Sequence, residues 1–94
     1  MRIDGFLWLP EVIEKLWSKH RVDQDEAEEI FFNGPRFWFV ESGDREGENV
    51  YAATGQTDAG RYLIVFFIHK EDRTALILSA RGMDRKERKR HERK

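Results

Sequence analysis

Cysteine is absent from the 94-residue sequence, and this absence excludes several kinds of covalent, catalytic and metal-binding chemistry. Without thiols the chain can form no disulfide, no thiolate nucleophile and no cysteine-ligated zinc site. Long apolar runs are missing too, because the longest, residues 62–68, is far shorter than the roughly 20 residues of a membrane-spanning helix. Nothing near Met1 resembles a signal peptide. Together these features predict a cytoplasmic protein that does not bind a membrane.

Recognisable catalytic motifs are also scarce. The three histidines, His20, His69 and His91, are scattered, and none stands at a metal-ligand spacing such as His-Glu-x-x-His. The glycines match neither a P-loop nor a dinucleotide fingerprint and are typical of turns. No serine lies on a nucleophile elbow. The sequence therefore predicts neither a metal site nor a cofactor.

Charge is abundant but unevenly distributed along the chain. Residues 81–94 hold eight of the 17 basic residues against three acidic ones, a net charge of +5, whereas residues 1–80 carry −6. A cationic stripe along a helix is typical of proteins that bind a polyanion, above all nucleic acid. The alternative is a solvated C-terminal tail. The first interpretation predicts that four residues bind RNA: Arg85, Lys86, Arg88 and Lys89.

Two helices are predicted in the first third of the chain, after a short apolar strand or extended lead-in over residues 3–8. Pro10 suits the first turn of a helix that ends near residues 19–21. A second helix begins at Asp23, because Asp23 and Glu26 have the spacing of a capping box. The Asn-Gly-Pro sequence at 33–35 ends it, since glycine accepts the left-handed cap conformation and proline cannot continue a helix.

Four runs rich in β-branched and aromatic residues follow, at residues 36–41, 50–55, 61–69 and 74–80. Their short connections favour antiparallel hairpins, and the third run, apolar on both alternating faces, is predicted to be the central strand. Asp84 and Glu87 repeat the capping-box spacing, which predicts a third helix over residues 85–91. The sequence thus predicts a single α+β domain over residues 1–94. It has two N-terminal helices, a four-stranded antiparallel sheet and a basic C-terminal helix at about 84–94.

Several charged residues at turns and strand ends could surround a phosphodiester. Metal-free RNA cleavage needs a base for the 2′-hydroxyl, cations for the phosphorane and an acid for the leaving 5′-oxygen. His20, beside Lys19, or Glu48 could act as the base, with Arg61 and Arg81 as guanidinium clamps on the phosphate. Each has a structural alternative. The arginines could pair with surface carboxylates, His20 could cap the first helix, and Glu48 could solvate a turn.

The order and spacing of several motifs resemble the BrnT family of bacterial toxins over nearly the whole chain. The strongest parts are Gly-Arg-x-Leu-x-Val at 60–65 and Ser-Ala-Arg at 79–81, the latter followed by an arginine at 88. The resemblance also rests on Lys-His-Arg-Val at 19–22, an acidic, alanine-containing helix with Phe-Phe at 31–32, and Glu-Gly-Glu at 46–48.

This resemblance implies a RelE-like α+β fold and a ribonuclease that inhibits translation. It also implies a heteromeric complex with a cognate BrnA-like antitoxin, whose ribbon-helix-helix domain binds DNA. The sequence departs from the family pattern at Arg21, Asp44, Asn49 and Leu76, which removes polar groups from the predicted site. The alternative interpretation is therefore a non-enzymatic module on the same fold, which binds the antitoxin or nucleic acid.

Overall fold

A computed structural model describes residues 1–93, in which three helices pack against one five-stranded sheet. The helices are α1 (Pro10–His20), α2 (Gln24–Glu29) and α3 (Arg85–Glu92), and a 3₁₀ turn (Ile30–Phe32) follows α2. The strands are β1 (Gly5–Leu7), β2 (Arg36–Glu41), β3 (Val50–Gln56), β4 (Tyr62–His69) and β5 (Thr74–Gly82). The predicted α+β class and the order of its elements are confirmed.

The sheet differs from the prediction in having a fifth strand. Its order is β1-β5-β4-β3-β2, and β4 is central as predicted. β1 pairs in parallel with β5, with Gly5 opposite Thr74, whereas all other described pairs are antiparallel. The prediction counted only runs joined by hairpins. The partner of β1 lies near the other end of the chain, and local periodicity cannot reveal such a pairing.

Both predicted capping boxes are present. The Asp23 carboxylate accepts a hydrogen bond from the backbone N–H of Glu26 (2.8 Å), and the Glu26 carboxylate accepts one from the backbone N–H of Asp23. Asp84 and Glu87 form the same reciprocal pair at the start of α3. That helix ends at Glu92, one residue later than predicted, and the predicted basic segment extends to position 94, outside the described residues.

The core lies between one face of the sheet and the two N-terminal helices. Leu16, Val22 and Ile30 are buried there against Leu63 and Val65 of the central strand. Beside them, the fully buried side chain of Phe67 contacts three aromatic side chains, with distances of 5.3–6.1 Å between ring centroids. These neighbours are Phe31, Phe37 and Tyr51. Phe31 and Phe37 make edge-to-face contacts and Tyr51 a stacked one, and because such contacts add to apolar burial, Phe67 anchors the core.

The opposite face of the sheet is covered over part of its area by α3. A β-bulge at Leu78 decides which β5 side chains reach that face. Phe67 pairs with Ile77 but Phe66 pairs with Ser79, so Leu78 is an extra residue. Side chains alternate along a strand, and one extra residue reverses the alternation beyond it. Consequently Arg81, opposite Ile64, points to the α3 face.

Arg21 has a left-handed backbone conformation (φ 51°) as the residue that ends α1. Its N–H donates to the carbonyl of Trp17, and the N–H of Val22 donates to the carbonyl of Leu16. A Cβ atom in this conformation costs about 1–2 kcal/mol, more than the roughly 0.5–1 kcal/mol of extra chain entropy that glycine loses on folding. We therefore expect Arg21→Gly to be more stable than Arg21→Ala by about 0.5–1 kcal/mol in urea denaturation. Equal stabilities would mean that the left-handed turn is not strained.

Candidate functional site

The guanidinium group of Arg61 joins the end of α1 to the start of α2. It donates hydrogen bonds to the backbone carbonyls of Arg21 (2.6 Å) and His20 (2.9 Å), and it pairs with Glu26 at 3.2 Å. These carbonyls lie at a helix C-terminus, where a cation is favourable. The structure thus brings Lys19, His20 and Arg61 close together. Both terminal nitrogens of Arg61 donate to partners within the protein.

Arg81 lies on the opposite face of the sheet. Its two terminal nitrogens donate to the two carboxylate oxygens of Glu87, at 2.7 and 2.8 Å, and its guanidinium lies 5.7 Å from the ring centre of Phe66. The Arg81 hydrogen bonds hold the pKa of Glu87 below its ordinary value, and Glu87 in turn raises the pKa of Arg81. Both groups therefore stay charged around neutral pH, which makes Glu87 a poor proton donor.

His91 lies one helical turn beyond Glu87 on the same face of α3. Its Nδ1 is 2.8 Å from the hydroxyl of Thr54, which is buried in β3. Burial lowers the pKa of His91, and the positive charge of Arg36 lowers it further. The imidazole is therefore neutral at pH 7, and a neutral imidazole can accept a proton. We refer to Thr54, Arg81, Glu87 and His91 as the α3 site.

Two further arginines of α3 stack on aromatic rings of the sheet. Arg90 lies 3.4 Å from the ring centre of Trp38, and Arg88 lies 3.9 Å from that of Tyr62. The remaining basic residues that were predicted to bind RNA point to solvent; they are Arg85, Lys86 and Lys89. The helix therefore has one face that docks on aromatic rings and another that presents free positive charge.

Glu48 lies far from both arginine clusters. It comes two residues before β3, whereas Arg61 adjoins the opposite end of that strand through the pairing of Gln56 with Tyr62. A seven-residue strand spans roughly 20 Å or more. The predicted residues therefore do not surround one phosphate. Arg61 lies with Lys19 and His20 on one face, Arg81 lies on the other, and Glu48 lies at the far end.

Sequence reasoning did not include Thr54, Glu87 or His91 among the site residues, and the structure places all three in the α3 site. One signal for His91 was present, because Glu87 and His91 are four residues apart and share a face of the predicted helix. Thr54 gave no such signal, since its contact with His91 depends on how α3 docks on the sheet. Within residues 1–93, no three His, Asp or Glu side chains are placed to hold a metal ion, and no helix is long and apolar enough to cross a membrane.

Comparisons with known proteins agree on one family. Residues 8–87 match the family model of the ribonuclease toxin BrnT of type II toxin–antitoxin systems. The fold is similar to the crystal structure of the Brucella abortus ribonuclease toxin BrnT, with a TM-score of 0.65 and 16% sequence identity. That match covers 86% of this chain and 97% of the Brucella chain. No curated protein sequence matches the chain.

Proposed function

Because the chain belongs to the BrnT family of ribonuclease toxins of type II toxin–antitoxin systems, we propose that it is an endoribonuclease that needs no metal ion. Its substrate is RNA, its cleavage inhibits translation, and it acts in the cytoplasm, where messenger RNA is translated. The observation that carries the proposal is the α3 site. There a neutral imidazole lies on the same sheet face as a guanidinium held by a carboxylate.

In this proposal, His91 takes the proton of a ribose 2′-hydroxyl. The freed oxygen attacks the adjacent phosphorus, and Arg81 stabilises the extra negative charge of the phosphorane. The bond from phosphorus to the 5′-oxygen then breaks, and the leaving oxygen takes a proton from water. The products are a 2′,3′-cyclic phosphate and a 5′-hydroxyl. Glu87 holds the guanidinium in place, and Thr54 orients the imidazole.

The cluster of Lys19, His20 and Arg61 is the second candidate for the chemistry. It keeps two groups that can act on a phosphate, an exposed ammonium and a partly exposed imidazole. Arg61 contributes there by fixing the helix ends, because its donors bond to carbonyls and to Glu26. Glu48 could act only on a substrate that reaches the far end of the sheet.

The test is incubation of the purified protein with single-stranded RNA, with and without EDTA. We expect cleavage that EDTA leaves unchanged and products that carry a 2′,3′-cyclic phosphate. Cleavage that stops in EDTA and resumes with added Mg²⁺ would contradict the metal-independent mechanism. No cleavage of any RNA would favour the alternative, a non-enzymatic module that binds an antitoxin or RNA on the same fold.

The solvent-facing basic residues of α3 are proposed to contact the RNA backbone. Each phosphate neutralised on a single strand adds about −0.7 to the slope of log affinity against log salt. Replacement of Arg85, Lys86 and Lys89 by alanine should therefore make the slope shallower by about 2. Filter binding across a salt series measures this. A control triple variant, Lys15→Ala, Arg45→Ala and Lys70→Ala, should keep the wild-type slope. Equal slopes in all three proteins would identify α3 as a solvated tail.

The partner proposed for the protein is a BrnA-like antitoxin with a ribbon-helix-helix domain. A type II system pairs its toxin with a protein antitoxin, so the two should form a stable heteromeric complex. Co-expression with the product of an adjacent gene, followed by size-exclusion chromatography, tests this partner. Separate elution of the two proteins would contradict the proposed antitoxin partner. It would not bear on the proposed RNA cleavage, which the EDTA experiment tests.

A further inference from the structure

A cavity of about 260 Å³ lies between α3 and the sheet, and Thr54 and Glu87 of the α3 site are among its lining residues. Its sheet side is a cross-strand row in which Trp38 of β2 pairs with Ala52 of β3, and Ala52 pairs with Phe66 of β4. A small residue thus separates two aromatic ones. Because adjacent strands are about 4.8 Å apart, this leaves a slot between the two rings, roughly two strand spacings wide.

The next row along the strands carries positive charge at both ends. Arg36 pairs with Thr54, Thr54 with Ile64, and Ile64 with Arg81. Residues two apart on a strand point to the same face and lie roughly 7 Å from each other. An aromatic slot therefore adjoins two guanidinium groups on one surface. This arrangement matches a nucleotide, which has a flat base on one side and a phosphate on the other.

Two observations point to Trp38 as the ring in this slot that a ligand would contact. Arg90 stacks on Trp38 at 3.4 Å, so a planar group already occupies that ring in the free protein. In addition, the indole N–H of Trp38 is buried without a hydrogen-bond partner in residues 1–93. An unsatisfied buried donor is unfavourable, and an acceptor brought in by a ligand would relieve it. The cavity is smaller than pockets for drug-sized ligands, about 300 Å³ and above, which suits a single ring system.

We propose that this cavity binds one nucleobase of the RNA, stacked on Trp38 in place of Arg90, with the neighbouring phosphate at Arg81. The inference deepens the proposed ribonuclease function and rests on it for the identity of the ligand. Stacking on an aromatic ring tolerates any base, because every base has a flat face. The displaced Arg90 remains beside the slot and is free to pair with a phosphate.

The test uses adenosine, which has a base but no phosphate, and ribose 5-phosphate, which has a phosphate but no base. In a Trp8→Phe, Trp17→Phe background, Trp38 is the only tryptophan, and its fluorescence reports stacking. We expect saturable quenching by adenosine and none by ribose 5-phosphate. If adenosine leaves the fluorescence unchanged, or if both compounds quench equally, the base site is refuted.

Arg90→Ala provides a sharper comparison, because it removes the group that competes for the ring. Adenosine should then bind about two- to fivefold more tightly, the equilibrium equivalent of one exposed cation–π contact. Arg45→Ala, an exposed arginine in the β2–β3 connection, should leave the affinity unchanged. Weaker adenosine binding by Arg90→Ala would mean that Arg90 contributes to adenosine binding, which contradicts the proposal that the base displaces Arg90 from Trp38.

If the double-phenylalanine background does not fold, the wild-type protein gives the same information through the indole N–H signal of Trp38 in NMR spectra. The signal is identified by its loss in Trp38→Phe, and it should shift on addition of adenosine. The cleavage assay separates the proposal of a nucleobase site from the proposal that the protein is a ribonuclease. RNA cleavage without an adenosine effect refutes the base site alone, and an adenosine effect without cleavage supports the site while refuting the nuclease.

Discussion

Replacing Arg81 by alanine should slow RNA cleavage by about 10² to 10³, the usual cost of removing one preorganised donor to a developing charge. Arg81 is held by two bonds to Glu87, so its guanidinium is in position before the substrate binds. Single-turnover cleavage of one labelled RNA measures the effect. Substitution of an exposed residue usually changes stability by no more than about 0.5 kcal/mol, but the two bonds to Glu87 raise our expectation for Arg81→Ala to a loss of about 1 kcal/mol.

Glu87→Gln is the matched control for this experiment. Glutamine keeps one oxygen that can accept from the Asp84 N–H and from Arg81, but it removes the negative charge and the second of the two bonds to the guanidinium. We expect its cleavage rate to stay within about tenfold of wild type, well above that of Arg81→Ala. If both variants lose activity equally, the intact Arg81–Glu87 ion pair is what cleavage requires, and the rate loss cannot be assigned to the guanidinium alone. If Arg81→Ala cleaves as well as wild type, the catalytic assignment moves to Lys19, His20 and Arg61.

Phe67→Ala should lower the free energy of unfolding by about 3–5 kcal/mol. The ring is fully buried, and alanine would leave a cavity among Phe31, Phe37 and Tyr51. A domain of this size is stable by only about 5–15 kcal/mol, so the variant should unfold at much lower urea concentrations. Chemical denaturation followed by circular dichroism measures the loss.

The control for Phe67 is the same substitution at Phe32, whose side chain is 77% exposed. Its loss leaves no closed cavity, and we expect Phe32→Ala to change stability by no more than about 0.5 kcal/mol. Comparable losses at the two positions would mean that the aromatic cluster does not form the core. A loss of that size for Phe32→Ala would also mean that the side chain of Phe32 is buried in the folded protein.

The parts of the fold that depend on neighbouring residues could be predicted from the sequence. Asp23 and Asp84 begin helices because each capping box is complete within four residues. The run of apolar residues on both faces identified β4 as the central strand. The pairing of β1 with β5 could not be predicted in this way, since it joins Gly5 to Thr74 and depends on the finished sheet.

The candidate site shows the same limit more clearly. Arg61 and Arg81 could be named from the sequence, but not the faces on which they lie. The bulge at Leu78 reverses the alternation in β5, and without it Arg81 would point to the same face as Arg61. The choice of face therefore depends on one extra residue. The contact between Thr54 and His91 likewise exists only after α3 has docked on the sheet.

The parallel pairing of β1 with β5 also has a consequence for synthesis. β1 is made well before β5, its only strand partner in residues 1–93, because Thr74 follows its pairing partner Gly5 by 69 residues. Arg81 lies near the end of β5, and Glu87 and His91 follow in α3. Under the proposed function, a chain interrupted before β5 has an unpaired first strand and lacks the α3 site. The nascent protein therefore stays inactive until Arg81, Glu87 and His91 have been added.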